Sequence, residues 1–215
     1  EYIRSKLCPM GRYTGPKHKR SRREGVDLFG NGGESLQRRL DQPPGAHGRE
    51  ARYRRRRSDY DRQLREKQKV KRIYGMRERQ FRRFFGMAQR ATDLTGEALL
   101  ALLERRLDNV IYRMGWARTR PQARQFVAHG HVLVDGERVN IPSYLIKPGQ
   151  RVALSGKAQR IPDVQGLLDA GLEPPPWIDR DGPEGLVLRS PHRDEITGTA
   201  ESTVDEQLVV EFYSR

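Results

Sequence analysis

Arg118, Arg120 and Arg124 open the segment RTRPQARQFVAHGHVLVDGERV (118–139), and His129 and His131 sit near its middle. Guanidinium groups in such a cluster do one kind of chemistry well: they hold phosphate oxygens through paired, charge-assisted hydrogen bonds, with no covalent step. Thr119 and Gln122 make a capping box and Pro121 suits a first helical turn. The arginines therefore belong to a helix N-terminus, where free backbone N–H groups also favour an anion. Ala123, Phe126 and Val127 form the inward face, which leaves the three arginines at the start and on the open side. The histidines flank Gly130 at the helix end, a place for a hydrogen bond to a last-turn carbonyl or to phosphate rather than for metal ligation.

The elements around this helix must hold it rigid. Residues 132–134 and 138–140 read as strands joined by Asp135-Gly136, a pair that tolerates the positive φ angles of a tight hairpin. Pro148-Gly149 marks another turn before a strand at 151–154. Upstream, TGEALLALLERRLDNVIYRMG predicts one helix from Thr95 to Gly115. Its buried stripe is Leu100, Leu103, Leu107, Val110, Ile111 and Met114. Two more helices are expected, one from the capping Ser58 to Gly75 and one over 77–90. Phe81, Phe84, Phe85 and Ala88 on the second read as core packing rather than base stacking.

Charge defines the partner class. The 215-residue chain carries a net charge of +14, and residues 1–90 alone hold 27 Lys/Arg against 10 Asp/Glu. Residues 156–215 reverse the balance, with 6 against 12. A strongly basic end indicates a polyanion, nucleic acid ahead of a membrane surface. The longest apolar run, 98–103, is far too short to span a bilayer, and no secretory leader is visible. One cysteine, Cys8, fits a reducing, cytoplasmic setting.

The expected organisation is α+β. Residues 1–10 are an extension, either upstream of a natural start marked by Met10 or added to the chain; 11–57 form a basic N-terminal coil, rich in Gly, Pro and Arg and poorly ordered when free. Residues 58–104 form the first part of a helical domain, into which a helix-pair and hairpin module, 105–160, is inserted. Residues 161–215 return to pack on that domain through a short helix at 164–170 and strands at 177–179, 185–189 and 207–212.

Catalytic patterns fail on inspection. Gly156-Lys157 lacks the upstream glycine of a phosphate-binding loop, and Gly30, Gly32 and Gly33 follow no strand. Asp179 and Asp181 have no partner base and read as a solvated loop. No cofactor and no metal are expected, because a lone cysteine and scattered histidines do not supply zinc's four ligands.

Five blocks carry a resemblance: GRYTGPKHKRSRREG, PPGAHG, SDYDRQLREKQKVKRIYGMRERQFRRFF, LLERRLDNVIYRMGWARTRPQARQFVAHGHVLVDGERVNIPSYLIKPG and EQLVVEFYSR. In this order, from Met10 to Arg215, the chain resembles the bacterial small-subunit ribosomal protein four family. The resemblance implies a non-enzymatic primary binder of small-subunit ribosomal RNA. Such a protein seats on a five-way junction of the 5′ domain and nucleates assembly. It also lies beside small-subunit proteins five and three along the mRNA entry path and contributes to translational accuracy. An RNA-modifying enzyme carrying the same module is the alternative, and a DNA-binding regulator the third reading.

By position, the resemblance places Arg118, Arg120, Arg124 and His131 on the RNA side of the module. Lys17, Lys19, Arg22 and Arg23 match its basic N-terminal segment, and Arg62, Arg65, Lys69 and Arg72 its basic helix. The run Arg52, Arg54, Arg55, Arg56 and Arg57 falls where the family faces mRNA. Some relatives hold zinc with four N-terminal cysteines; here His18 and Ser21 occupy the first pair's positions and no second pair follows.

Overall fold

A computed structural model describes residues 13, 15–30, 32–45, 58–196, 198 and 200–214. The expected extension at 1–10 and the arginine run Arg52, Arg54, Arg55, Arg56 and Arg57 lie outside these residues.

The described residues are α+β, with two hydrophobic cores. The first core is helical. Helix α1 (Lys17–Glu24) and the short α2 (Glu34–Gln37) precede α3 (Asp59–Ile73), α4 (Glu78–Ala88) and α5 (Thr95–Glu104). Ser58 caps α3 by accepting from the Asp61 N–H at 3.2 Å, and acidic residues in the first turn and basic ones in the last complement its dipole. Helix α4 buries Phe81, Phe84, Phe85 and Ala88, as the packing reading requires. Its outer face carries the exposed Arg79, Arg82 and Arg83.

Two expectations fail in this lobe. Residues 17–24 are helical rather than coil: Pro16 precedes the first turn, and Gly25, at φ 72°, ends the helix in the left-handed region. The mutual repulsion of its cations is offset by the buried Ser21 and by Glu24, which faces Arg72 and Arg65 of α3. The predicted helix over 95–115 is two helices, α5 and α6 (Leu107–Arg113). Between them Arg106 is extended, at φ −65° and ψ 137°, and makes a β-bridge to Leu145. Leu100 and Leu103 pack in the helical core, whereas Leu107, Val110, Ile111 and Met114 pack in the second.

That second core lies under a five-stranded antiparallel sheet of order β2-β1-β3-β5-β4. After α7 (Arg120–Ala128) come β1 (Val132–Val134) and β2 (Glu137–Arg138), then β3 (Arg151–Leu154), α8 (Gly156–Gln159), α9 (Pro162–Asp169), β4 (Ile178–Asp181) and β5 (Glu184–Val187). The hairpin turn is as expected: Asp135 at φ 51° and Gly136 at φ 86° join Val134 to Glu137. Asp135 Oδ1 also accepts from the Arg151 N–H at 2.9 Å, tying the turn to β3. Asp179 and Asp181 lie exposed on β4 rather than in a loop.

The segment beyond 160 divides. Val164, Trp177, Ile178 and Val187 complete the sheet's core, contrary to the expectation that all of 161–215 packs on the helical lobe. The chain then returns: Ile196, Ala200, Val204 and Val209 join the helical core. Residues 207–212, expected as a strand, belong to helix α10 (Glu206–Tyr213), capped by Asp205, whose carboxylate accepts from the N–H groups of Gln207 and Leu208. Helix α10 packs on α3 and α5.

Candidate nucleic-acid interface

The predicted capping box of α7 forms in its Thr119 half, while Gln122 reaches past the Thr119 N–H to that of Arg118. Thr119 accepts from the Gln122 N–H at 3.3 Å, and Gln122 Oε1 accepts from the Arg118 N–H at 2.8 Å. The three arginines nevertheless differ in role. Arg118 is exposed and pairs loosely with Asp163 at 2.9 Å. Arg120, expected on the open side, turns inward. Its Nε donates to Asn109 Oδ1 at 2.7 Å, and its guanidinium carbon lies 4.4 Å from the Tyr112 ring centroid. One Arg120 nitrogen lies against Glu201 as a charge contact rather than a directed hydrogen bond. Arg124, also expected on the open side, is mostly covered and 3.6 Å from Asp108.

The reason for the inward turn is Glu104, the last residue of α5, which is fully buried. It accepts from Arg113 Nε and Nη2, from Tyr74 Oη at 2.6 Å and from Asn109 Nδ2 at 2.7 Å. Burial pushes its carboxyl up, but Arg113, the hydrogen bonds, and Arg120 outweigh that and hold it down at about 2. Burial likewise opposes the charge on Arg113, yet Glu104 raises its pKa overall. A buried anion needs this many donors, and they come from both lobes.

The basic helices are sorted in the same way. Arg22 donates to the Gln42 and Pro43 carbonyls at 2.8 and 3.5 Å and so fastens the loop after α2. Lys69 is buried, donating to Glu66 at 2.6 Å and to the Thr203 carbonyl at 3.1 Å. Arg72 and Arg65 face Glu24; burial drives that carboxyl's pKa upward against the two cations. Arg62 is exposed and pairs with Asp59. Lys17, Lys19 and Arg23 are exposed, with no carboxylate partner among the described residues.

His131 is half-buried, and its ring lies edge-on to Phe126 at 6.2 Å. Burial lowers its pKa, and His129, Arg138 and Lys157 lower it further, which disfavours the charged ring. The exposed Arg77, Arg79, Arg82 and Arg83 on and before α4 were missed by the sequence reading. Their signal was available: they occupy the helix face opposite the phenylalanines.

The geometry so far is two cores with cations on both sides of one buried junction. Residues 12–104 match the family described as Ribosomal protein S4/S9 N-terminal domain, and residues 105–152 match the S4 domain. The small ribosomal subunit protein uS4 of Herpetosiphon aurantiacus is 50% identical across 96% of this chain and 100% of its own length. The chain belongs to the small ribosomal subunit protein uS4 family. The uS4 proteins of Chloroflexus aurantiacus and Dictyoglomus turgidum are also 50% identical with the same coverage. The resemblance read from the five sequence blocks is thus borne out, over 96% of the chain.

Within the uS4 family frame, the two matched segments meet at Glu104 and Arg105, one residue from the extended Arg106. Arg106 is itself fully buried, paired to Asp108 at 2.6 and 3.0 Å and 5.5 Å from the Phe84 ring centroid. Among the described residues no group of three or more His, Cys, Asp or Glu could hold a metal, and no helix is long and apolar enough to cross a membrane.

Proposed function

We propose that this chain is a structural, non-enzymatic component of the small ribosomal subunit and binds its ribosomal RNA early, at a five-way junction of the 5′ domain, where it nucleates assembly. The observation that supports this reading is 50% identity, over 96% of the chain, to proteins named as small-subunit components. The physical route is shape recognition. Deep A-form major grooves hide base edges, so arginines and lysines on two rigidly joined lobes bridge the phosphates of converging helices.

On this reading Lys17, Lys19, Arg23 and Arg62 contact RNA from the helical lobe, and Arg118, Arg124 and His131 from the sheet lobe. Arg22, Arg65, Lys69, Arg72 and Arg120 act mainly by positioning, since each is held by groups of the chain itself. Arg52, Arg54, Arg55, Arg56 and Arg57 face mRNA at its entry path, beside small-subunit proteins three and five, and through that path the chain influences decoding accuracy. Its setting is the cytoplasmic ribosome.

Chemical footprints of the purified chain on small-subunit ribosomal RNA, taken across a salt series, test this. Protection of one multi-helix junction that survives salt able to strip nonspecific binding is the expected result. Diffuse protection that vanishes with salt would overturn it.

A further inference from the structure

Between α1, the end of α3 and the start of α7 lies a cleft of about 380 Å³. That size falls among clefts that enclose small ligands, roughly 300–1,000 Å³. Its wall has two kinds of surface. Phe29, Ile73, Tyr74 and Pro121 supply flat or apolar area, while Lys17, Arg20, Arg72 and Arg124 bring positive charge. Asp108 is the carboxylate on this wall, and Arg106 already holds it through two hydrogen bonds.

The cations here are crowded and incompletely answered. Lys17 Nζ sits 5.8 Å from the Phe29 ring centroid, and neither Lys17 nor Arg20 has a carboxylate partner among the described residues. The Arg20 guanidinium instead stacks 3.2 Å from the Tyr13 ring centroid. Gly15 permits that stack, because a Cβ there would stand 2.6 Å from the tyrosine ring. Burial lowers the pKa of Arg20 and Arg72 lowers it further, while Tyr13 opposes the shift.

We propose that this cleft takes one unstacked nucleotide of the bound RNA, its base against Phe29 and the apolar wall and its phosphate among Lys17, Arg20 and Arg124. A flat apolar slot with a cationic rim matches both halves of a nucleotide, and stacking on an aromatic ring accepts any base. A paired helix cannot enter, so the site selects a bulged or junction nucleotide. This inference rests on the ribosomal RNA reading above and gives that contact a specific subsite.

The test uses the full chain and two hexa-adenylate oligoribonucleotides of equal charge, one with a central 2-aminopurine and one with a central abasic ribose. The expected result is quenching of the 2-aminopurine on binding and roughly tenfold weaker binding of the abasic hexamer, in line with the cost of removing one stacked base. Phe29→Leu should abolish the quenching and bind both hexamers alike. Tyr13→Leu, at an exposed residue outside both cores, should weaken the quenching in a chain that melts like the parent. Equal affinity of the parent for the two hexamers, or undiminished quenching in both variants, overturns the proposal. The footprint on whole ribosomal RNA separates the two readings. A salt-resistant junction footprint with equal hexamer affinities leaves the cleft holding phosphate alone and sinks only this inference. Base-dependent hexamer binding without a junction footprint sinks the ribosomal RNA reading instead.

Discussion

Arg113 grips Glu104 with two nitrogens, Nε at 2.7 Å and Nη2 at 2.9 Å, across the step where α5 gives way to α6. The pair lies where the chain first leaves the helical core for the sheet core, and Asn109, Tyr74 and Arg120 converge on it. The relative orientation of the lobes is thus set by a buried charge that must keep its donors.

Glu104→Gln should therefore destabilise the chain by about 3 kcal/mol at pH 7, the order expected from breaking a buried pair and from a carboxyl held near 2 rather than 4.5. The pH dependence has a definite sign. The folded-state pKa lies below the ordinary one, so the stabilisation is complete above about 5 and drains away as the pH falls toward 2. Urea melts from pH 7 down to 3 should show the gap between parent and variant closing on the acid side. A gap of constant size would mean that the carboxylate's charge is not its source.

Lys19→Ala with Arg23→Ala should leave the melt within ~0.5 kcal/mol, because both side chains are exposed and hold no carboxylate. The same pair should lower the slope of log affinity against log salt for the ribosomal RNA junction by about two, one for each phosphate no longer neutralised. Arg120→Ala should behave otherwise and lose stability along with affinity, since it removes the nearer cation from Glu201 and the donor to Asn109 Oδ1. Filter-binding titrations beside thermal melts distinguish these; an Arg120 variant with parental stability would return that residue to the open RNA face.

Local rules made some of this legible and hid the rest. Capping at Ser58 and Thr119, the Asp135-Gly136 turn and the phenylalanine face of α4 are set within one or two turns, and they form as read. The break at Arg106 has no local signature. Leu103 and Leu107 keep helical spacing on either side of it while packing in different cores, so periodicity reads straight through. Residues 206–213 misled by the opposite route. Leu208, Val210 and Phe212 alternate like a strand, but Val209 is the buried residue and the Asp205 cap starts a helix. Arg120 was legible as a cation and not as a paired one, because its partner Glu201 lies 81 positions away.

Gly130 tests the support of the hairpin. Its φ is 68°, and a Cβ would fall 2.1–2.6 Å from the Arg138 guanidinium, which donates to the His129 carbonyl at 3.0 Å. Gly130→Ala should cost about 1–2 kcal/mol from the left-handed backbone alone and should expel Arg138 from its place. Equilibrium denaturation of this variant and of Arg138→Ala checks it. If the double variant loses no less than the sum of the two, the guanidinium and the glycine do not share that space.

Two helical glycines should respond with opposite signs to the same change. Gly166, in α9, has nothing within 4 Å of a built Cβ, so Gly166→Ala should gain up to about 1 kcal/mol of helix propensity. Gly96, in α5, faces α10: its Cβ would meet Glu206 Cγ at 2.8 Å and Cβ at 2.9 Å. Arg193 holds the Glu206 carboxylate with both oxygens 3.2 Å from its Nε, which hinders the side chain from swinging clear. Gly96→Ala should therefore lose about 1–2 kcal/mol despite the same propensity gain. Paired urea melts decide the matter, and a stabilised Gly96→Ala would mean that α10 does not press on α5 as closely as its packing implies.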